Sequence, residues 1–145
     1  MHEPKGGGGL ALADVAPRIY AMWHAVDQRR TQDALPYCAP DFVMQVGAIE
    51  LDLTRFTEFM AARNDAEYDT RHILQNMQVT DADDDALTVS FVSTVWRLEP
   101  GADFPTNMVG DVTEQWSMID GEPRIRRRSL SLFCDTRPVD QRGPG

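Results

Sequence analysis

The stretch TRHILQNMQVTDADDDALTVSFVSTVWRL, residues 70–98, contains two segments of alternating apolar and polar side chains on either side of an acidic turn. A period of two residues is typical of a β-strand that buries one face, whereas a period of three to four residues is typical of a helix. We therefore predict strands over 72–79 and 87–98, joined by the turn DADDD at 81–85.

The rest of the C-terminal half continues this pattern. Strands are predicted over 108–119 and 124–134, and the dipeptide Asp120-Gly121 between them is typical of a two-residue hairpin turn. The segment EPGADFPTN, 99–107, contains proline and glycine and is predicted to be a loop. Together these segments predict a meander of long antiparallel strands.

The N-terminal half has helical spacing instead. A first helix is predicted to begin with Asp14 as its cap. Its apolar residues recur every three or four positions, at Ile19, Tyr20, Trp23 and Val26, with Asp27 on the same face. A helical turn is predicted over 34–40, followed by one or two short strands over 41–51 that break near Gly47.

A second helix is predicted to begin at Asp52 or Thr54, with Phe56, Phe59 and Met60 on one face. Helices followed by a strand meander predict the α+β class. We expect a cone-shaped barrel, in which a strongly curved antiparallel or mixed sheet wraps around the N-terminal helices and encloses an internal pocket.

The chain of 145 residues is predicted to form one domain over 12–135, with a flexible leader, 1–11, and a flexible tail, 136–145. Its net charge of −9, from 23 acidic and 14 basic residues, argues against nucleic acid or an anionic membrane as a partner. Cys38 and Cys134 lie far apart without metal-ligand spacing, and no apolar run is long enough to span a membrane. We therefore expect a cytoplasmic protein without a metal site.

Two residues that can carry acid–base chemistry lie where a charged group needs a partner. Asp27 shares the predicted inward helix face with Trp23, where a carboxylate costs free energy unless it is paired. His72 lies where a polar turn becomes an apolar strand. One interpretation is that Asp27 pairs with Arg30 or Arg71 and that His72 is structural. The other is that Asp27 orients His72 and makes it a general base.

The segment RIRRRSL, 124–130, is the third notable feature. Strict alternation places Arg127 on one strand face and the other three arginines, Arg124, Arg126 and Arg128, on the opposite face. Cross-strand ion pairs with Glu114 and neighbouring acids are one interpretation of these charges. The other is that one arginine points into the pocket and stabilises an anionic group of a substrate.

The sequence resembles the SnoaL-like division of the nuclear transport factor 2-like superfamily over roughly residues 12–135. The resemblance rests on three segments in the family's order: IYAMWHAVDQRRTQDALPYCAPDFVMQV, TRHILQNMQV and DVTEQWSMIDGEPRIRRRSLSLF. Within that family it is most similar to the group of scytalone dehydratase, hexachlorocyclohexane dehydrochlorinase and bile-acid dehydratase. The resemblance implies a conical α+β barrel, a homodimer packed sheet to sheet or a higher homo-oligomer, and no cofactor.

The resemblance also implies site residues. The family's helix aspartate, in a segment like AVDQRR, matches Asp27, and its strand histidine, in a segment like TRHIL, matches His72. The dehydrochlorinase has a pocket arginine on its last strand, which matches Arg128, or Arg127 if the alignment slips by one residue.

The chain departs from these enzymes at three positions. Phe91 stands where scytalone dehydratase has a second histidine, and Val26 replaces its tyrosine before the helix aspartate. Met22 lies near the position of a lysine in the dehydrochlorinase. A known substrate therefore cannot be carried over to this chain.

From these features we expect a cofactor-independent lyase of the dehydratase type that acts on an apolar, ring-bearing small molecule. His72 would remove a proton, Asp27 would hold its tautomer, and Arg128 would stabilise a developing oxyanion. The expected substrate-binding residues are Tyr20, Trp23, Phe56, Phe59, Asn76, Phe91 and Trp116. An isomerase or polyketide-type cyclase could use the same base, and a non-catalytic ligand-binding or assembly module is a further alternative.

Overall fold

The computed structural model describes residues 9–142. Within that range two α-helices and six strands follow one another in the predicted order. They are α1 (Leu12–Asp27), β1 (Cys38–Val46), β2 (Ile49–Asp52), α2 (Leu53–Asn64), β3 (Asp69–Ala82), β4 (Ala86–Leu98), β5 (Thr106–Ile119) and β6 (Glu122–Asp135). Two short 3-10 helices cover Thr31–Tyr37 and Val139–Gln141.

The six described strands form one sheet in the order β2-β1-β6-β5-β4-β3. β1 runs parallel to β6, and the other neighbouring pairs are antiparallel. α1 packs against β3, and α2 packs against β1 and β2. The predicted α+β fold, a curved mixed sheet wrapped around the helices in the shape of an open cone, is confirmed.

An aspartate near the start of each helix accepts a backbone hydrogen bond. Asp52 caps α2 by accepting from the N–H of Arg55 at 2.9 Å. Of the two predicted starts of this helix, Asp52 and Thr54, the first is confirmed. α1 begins two residues before its predicted cap, and Asp14 lies in the first turn instead. There its carboxylate accepts from the N–H of Ala11 at 2.9 Å and interacts favourably with the positive end of the helix dipole.

The buried face of α1 is narrower than its apolar residues predict. Ile19, Met22 and Trp23 are buried, but Tyr20 is 40% exposed. Successive residues are about 100° apart around a helix, so a face centred between Ile19 and Met22 includes Trp23 and excludes Tyr20. The prediction that Tyr20 shares the inward face is therefore wrong.

The core lies between the two helices and the inner face of the sheet. Its largest fully buried side chains include Trp116, Phe42, Phe56, Ile19, Met22 and Ile125. The rings of Phe42 on β1 and Phe56 on α2 lie 4.8 Å apart and pack these two elements together. The predicted inner face of β4 is confirmed at Leu87, Val89, Phe91 and Ser93, which are at most 3% exposed.

A β-bulge in β3 changes the direction of its middle residues. The register with β4 shifts between Gln75 and Gln78, and Asn76 has a left-handed φ of 57°. Alternation from His72 would direct Asn76 inward, but Asn76 is exposed and Met77 packs against the core. The prediction that Asn76 shares a side with His72 is therefore wrong.

A second bulge lies in β6. Consecutive residues of β5 pair with Arg127 and Ile125, so Arg126 is the extra residue. As a result Ile125 and Arg128 are both buried, although strict alternation would put them on opposite faces. The prediction that Arg128 shares a face with Arg126 is wrong, because the bulge turns Arg128 toward the interior.

The chain ends are described in part. Residues 1–8 of the predicted leader and 143–145 of the predicted tail lie outside the described residues. Leu10 is buried in the core, and Arg137 is buried in an ion pair with Asp135 at 2.7 Å. The domain limits at 12 and 135 stay predictions. None of the helices between residues 9 and 142 has the length and apolar character to cross a membrane.

Candidate functional site

His72 and Asp27 are in direct contact. α1 ends at Asp27 and β3 runs beside it, so that His72 Nδ1 lies 2.6 Å from Asp27 Oδ1. The backbone N–H of His72 donates to Asp27 Oδ2 at 2.8 Å. Both side chains are mostly buried, with 9% and 14% of their surface exposed. Asp27 therefore pairs with the histidine, and not with Arg30 or Arg71.

Arg63 and Thr70 determine the direction of the hydrogen bonds at this contact. A guanidinium can only donate, so Arg63 Nη2 donates to Thr70 Oγ1 at 2.8 Å. The single hydroxyl hydrogen of Thr70 is then left to donate to Asp27 Oδ1 at 2.8 Å. Asp27 is thus an acceptor, His72 Nδ1 carries the hydrogen of their contact, and the neutral imidazole keeps its free electron pair on Nε2. This tautomer is assigned from the hydrogen-bond network.

The same network determines the charge of Asp27. Burial by itself raises the pKa of this carboxyl, but the hydrogen bonds and charge of His72, together with the Thr70 hydroxyl, lower the pKa by more, so that it lies below 3.8. Asp27 is therefore ionised at neutral pH. An ionised carboxylate at this distance accepts the Nδ1–H of His72 and orients the imidazole, as the carboxylate partner of a general-base histidine does.

His72 lines a cavity of about 630 Å³ that is bounded by both helices and the inner face of the sheet. Most of the lining side chains are apolar, among them Met44, Val46, Leu51, Met60, Val95, Leu130 and Leu132. Pockets for small organic molecules have volumes of roughly 300–1,000 Å³. The predicted site residues that line this cavity are His72, Arg128, Trp23, Phe56 and Phe59.

The other predicted wall residues lie elsewhere. Tyr20 and Asn76 are exposed, on the flank of α1 and in the bulge of β3. Trp116 is completely buried in the core, and Phe91 packs edge-on against Trp23 with their ring centres 5.8 Å apart. Within the described structure none of these four lines the cavity, and the expectation that they form its wall is corrected: two fill the core and two face outward.

A buried carboxylate on β5 accepts hydrogen bonds from two cavity residues, Trp23 and Arg128. Glu114 is 0% exposed and accepts from the indole N–H groups of Trp23 and Trp116, at 3.1 and 3.0 Å, and from Arg128 Nε at 2.8 Å. The cross-strand pairing of Glu114 with Arg128 that the sequence suggested is confirmed. Because Glu114 balances its charge, Arg128 presents a hydrogen-bond donor to the cavity with little net charge.

Trp23 connects this cluster with the histidine. Its ring centre lies 5.2 Å from that of His72, and the guanidinium carbon of Arg128 lies 4.6 Å from the same ring. Arg127, the other arginine left open by the alignment, donates to Gln45 Oε1 at 2.6 Å and is not among the described residues that line the cavity. Of the two arginines that the alignment left open, Arg128 is therefore the one at the cavity.

Asp27 faces a second cavity, of about 680 Å³. Its lining includes His24, Asp27, Gln28, Asp69, Arg71 and Trp96, and it shares Thr70 and His72 with the first cavity. The contact between His72 and Asp27 therefore lies in the wall that separates a mostly apolar cavity from one with many polar side chains.

Thr70 and Arg63 are not among the site residues predicted from the sequence, although the sequence pattern around each one indicates an inward-facing polar side chain. Thr70 lies two residues before His72, on the same side of an alternating strand. The strand was predicted to begin at His72, which excluded Thr70. Arg63 follows Phe56 and Met60 at positions i+7 and i+3, so it is a charged residue on the apolar face of α2. Such a charge needs a partner and could have been singled out for that reason.

Neither cysteine nor metal chemistry is indicated by the described side chains. Among residues 9–142 no group of three or more His, Cys, Asp or Glu side chains is placed to hold a metal ion. Cys38 and Cys134 are free thiols. Burial raises the pKa of the Cys38 thiol to about 11, so it is a neutral packing group at physiological pH.

Residues 10–129 match the SnoaL-like domain, and the chain belongs to this family within the nuclear transport factor 2-like superfamily. No curated protein sequence matches the chain significantly.

Several solved structures share the fold. A scytalone dehydratase-like protein from Novosphingobium aromaticivorans aligns with a TM-score of 0.77 and 10% identity, over 91% of this chain and 95% of that one. The β subunit of benzoate 1,2-dioxygenase from Burkholderia mallei aligns with a TM-score of 0.74 and 18% identity, over 85% and 91%. A hexachlorocyclohexane dehydrochlorinase aligns with a TM-score of 0.75 and 12% identity, over 91% and 92%. At these identities the likeness establishes the fold alone.

Proposed function

We propose that the chain is a lyase of the dehydratase type that acts on an apolar, ring-bearing small molecule without a bound cofactor. The observation that carries this proposal is the position of His72, which contacts an ionised Asp27 and lines a mostly apolar cavity. Proton abstraction from carbon needs a base whose protonated form is stabilised and that is shielded from water. The scytalone dehydratase-like and dehydrochlorinase neighbours lend support to an elimination reaction.

In the proposed reaction His72 Nε2 takes a proton from a carbon beside a carbonyl group of the substrate. The electron pair of that C–H bond forms a C=C double bond as the C–O bond of a hydroxyl group on the next carbon breaks. The imidazolium then returns its proton to the departing hydroxide, so that water forms and His72 is neutral again. Asp27 accepts the Nδ1–H bond throughout and stabilises the imidazolium between the two transfers.

Arg128 is proposed to assist at the oxygen side of the reaction. Its Nε bonds to Glu114 and its Nη2 contacts the sulfur of Met22, which leaves Nη1 as the terminal nitrogen without a partner among the described residues. A donor at this position would polarise the substrate carbonyl or the leaving hydroxyl group. Since Glu114 offsets the charge, the assistance would come from a directed hydrogen bond.

An isomerase or a polyketide-type cyclase would share the first step. An isomerase would return the proton to a different carbon, and a cyclase would use the carbanion to form a C–C bond. The products distinguish the three reactions: a loss of water marks the dehydratase, and a rearranged or cyclised product marks the others.

The proposed base can be tested before the natural substrate is known. The exchange of the protons beside the carbonyl of 2-tetralone, a bicyclic ketone, is followed by NMR in D₂O with wild type and with His72→Ala. Wild type is expected to accelerate exchange over buffer, and His72→Ala to lose about 10²- to 10⁴-fold of that acceleration. His24→Ala is the matched control, because His24 is exposed on α1 and should leave the rate unchanged.

Two results would decide against this base. One is an equal exchange rate in wild type and His72→Ala, and the other is a loss of the rate in the His24→Ala control alone. If exchange is observed, β-hydroxy ketones with fused rings are the next substrates, and mass spectrometry detects the loss of water.

Assembly is a second candidate role, favoured by one observation. Large apolar side chains on the outer face of the sheet are exposed, among them Ile73, Trp96 and Phe133. The benzoate dioxygenase β subunit has the same fold and belongs to a multisubunit enzyme. We propose that this surface forms a homodimer in the cytoplasm, where Cys38 and Cys134 would stay reduced. A monomer by light scattering at micromolar concentration would contradict the homodimer.

A further inference from the structure

Four arginines line the apolar cavity, and they differ in their partners. Three form ion pairs: Arg97 with Glu99, Arg128 with Glu114, and Arg137 with Asp135. The fourth, Arg63 on α2, forms no ion pair with a carboxylate of residues 9–142 within 4 Å; its one protein hydrogen bond goes to the neutral Thr70. The cavity therefore contains one guanidinium that is not directly neutralised.

Among the four cavity arginines, Arg63 is also the one with buried donors that lack a hydrogen-bond partner within the described residues. It is 8% exposed, and its Nε and Nη1 atoms are buried without a hydrogen-bond partner among the described residues. Its guanidinium carbon lies 4.8 Å from the centre of the Tyr68 ring, which attracts the charge but offers no oxygen or nitrogen acceptor to those two nitrogens. Buried donors of this kind are rare in folded proteins and call for an explanation.

The free energy of this arrangement favours an anion. Burial is the largest cause of a lowered pKa of Arg63, which means that the environment disfavours the charged form. Asp27 balances the charge only across the Thr70 hydroxyl. Because Arg63 has already lost most of its water on folding, an anion that reaches it gains a strong, charge-assisted hydrogen bond at the expense of its own water alone.

We propose that Arg63 binds an anionic oxygen of the ligand of this cavity, so that the substrate is an apolar, ring-bearing carboxylic acid. The carboxylate of the substrate contributes to binding only. The substrate carbon that loses its proton is a different atom, which lies at His72. This inference takes the cavity as the substrate site of the proposed lyase, but its test measures binding alone and does not depend on turnover.

The test compares an acid with its neutral amide. The dissociation constants of 2-naphthoate and 2-naphthamide are measured by the quenching of tryptophan fluorescence, since Trp23 lines the cavity. Wild type is expected to bind 2-naphthoate roughly tenfold or more tightly than 2-naphthamide, as for a charge-assisted hydrogen bond in a buried site. Arg63→Met, which keeps the apolar stem, is expected to bind both compounds equally.

Controls separate Arg63 from its neighbours. Arg97→Met removes a cavity arginine that contacts the same Tyr68 ring but has its own carboxylate, and it should keep the preference for the acid. Arg63→Lys retains the charge and should keep much of the preference. If Arg63→Met does not fold, the comparison of acid and amide in wild type and in Arg63→Lys still provides the test. The arginine Nε–H NMR signal that disappears in Arg63→Lys belongs to Arg63, and this signal is followed in wild type as each compound is added.

Equal binding of acid and amide by wild type would overturn the proposal. A preference that survives in Arg63→Met and is lost in Arg128→Met would assign the anion to Arg128 and overturn it as well. His72→Ala distinguishes this inference from the proposed function: it should abolish proton exchange and leave the preference for the acid intact.

Discussion

Asp27 is the residue on which the site converges. Its two carboxylate oxygens accept from the His72 ring, the His72 backbone and the Thr70 hydroxyl. Arg63 forces the Thr70 hydroxyl to donate, so a residue on α2 influences the tautomer of a histidine on β3 without touching it. Asp27 therefore orients the proposed base, fixes its tautomer and places a negative charge beside it.

Asp27→Asn is expected to destabilise the fold in a pH-dependent way. The pKa of Asp27 is lowered in the folded state, so its ionised form stabilises the fold above the unfolded value of 3.8, and this contribution is lost as the pH falls through the folded value. The difference in unfolding free energy between wild type and Asp27→Asn should shrink as the pH falls from about 5 to below 3. Urea titrations at several pH values measure it, and a difference that grows in acid would contradict the lowered pKa.

Bulges near Asn76 in β3 and at Arg126 in β6 decide which side chains reach the interior. The alternation of apolar residues correctly predicted that β3 and β6 are strands, yet the extra residue at each of these places reverses the face of the residues after it. Asn76 is lost from the site in this way, and Arg128 is turned toward the cavity. A strict period of two could identify these strands but not the faces of all their residues.

The bulge in β3 can be tested at Asn76. Its φ of 57° is tolerated by asparagine and glycine and is unfavourable for a β-branched residue. Asn76→Val is expected to lower the free energy of unfolding by about 1–2 kcal/mol, and Asn76→Gly to change it by less than about 0.5 kcal/mol. Gln75→Val, at the exposed neighbour, is the control in urea denaturation. Equal effects of valine at positions 75 and 76 would show that the left-handed conformation is not retained in solution.

For the molecule as a whole, the cavity is a product of the open cone. Its wall combines α1, α2, the start of β3 and the inner faces of the remaining strands, so its residues are distant in sequence. His72 pairs with Val95 across β3 and β4, which places Val95 next to the proposed base in the cavity wall. The shape of this space depends on how the sheet curves around the helices.

Filling the cavity should weaken ligand binding without loss of the fold. Val95→Trp places a large side chain beside His72, and the affinity for 2-naphthamide is expected to fall roughly tenfold or more, a change of about 1.4 kcal/mol. Thr94→Trp is the matched control, since Thr94 pairs with Ile73 and lies on the opposite side of β4. An affinity that is unchanged in Val95→Trp would show that the ligand binds elsewhere, and circular dichroism checks that both variants fold.

The local patterns of the chain were sufficient to predict the order of helices and strands, the α+β class and the two residues of the central contact. These features depend on periodicity and on a match of short segments, both of which involve neighbouring residues. Arg63 and Thr70 were within reach of the same reasoning, because each carries a polar group on an inward face.

The sequence could not supply the set of side chains that share the cavity. Tyr20, Asn76, Phe91 and Trp116 were expected in its wall because they are aromatic or polar and lie near inward positions, and packing placed them elsewhere. The direction of a side chain depends on helix rotation and on bulges, and its neighbours depend on how six strands curve together. These are long-range properties, so only the folded chain brings Arg63, Thr70, Asp27 and His72 into one hydrogen-bonded row.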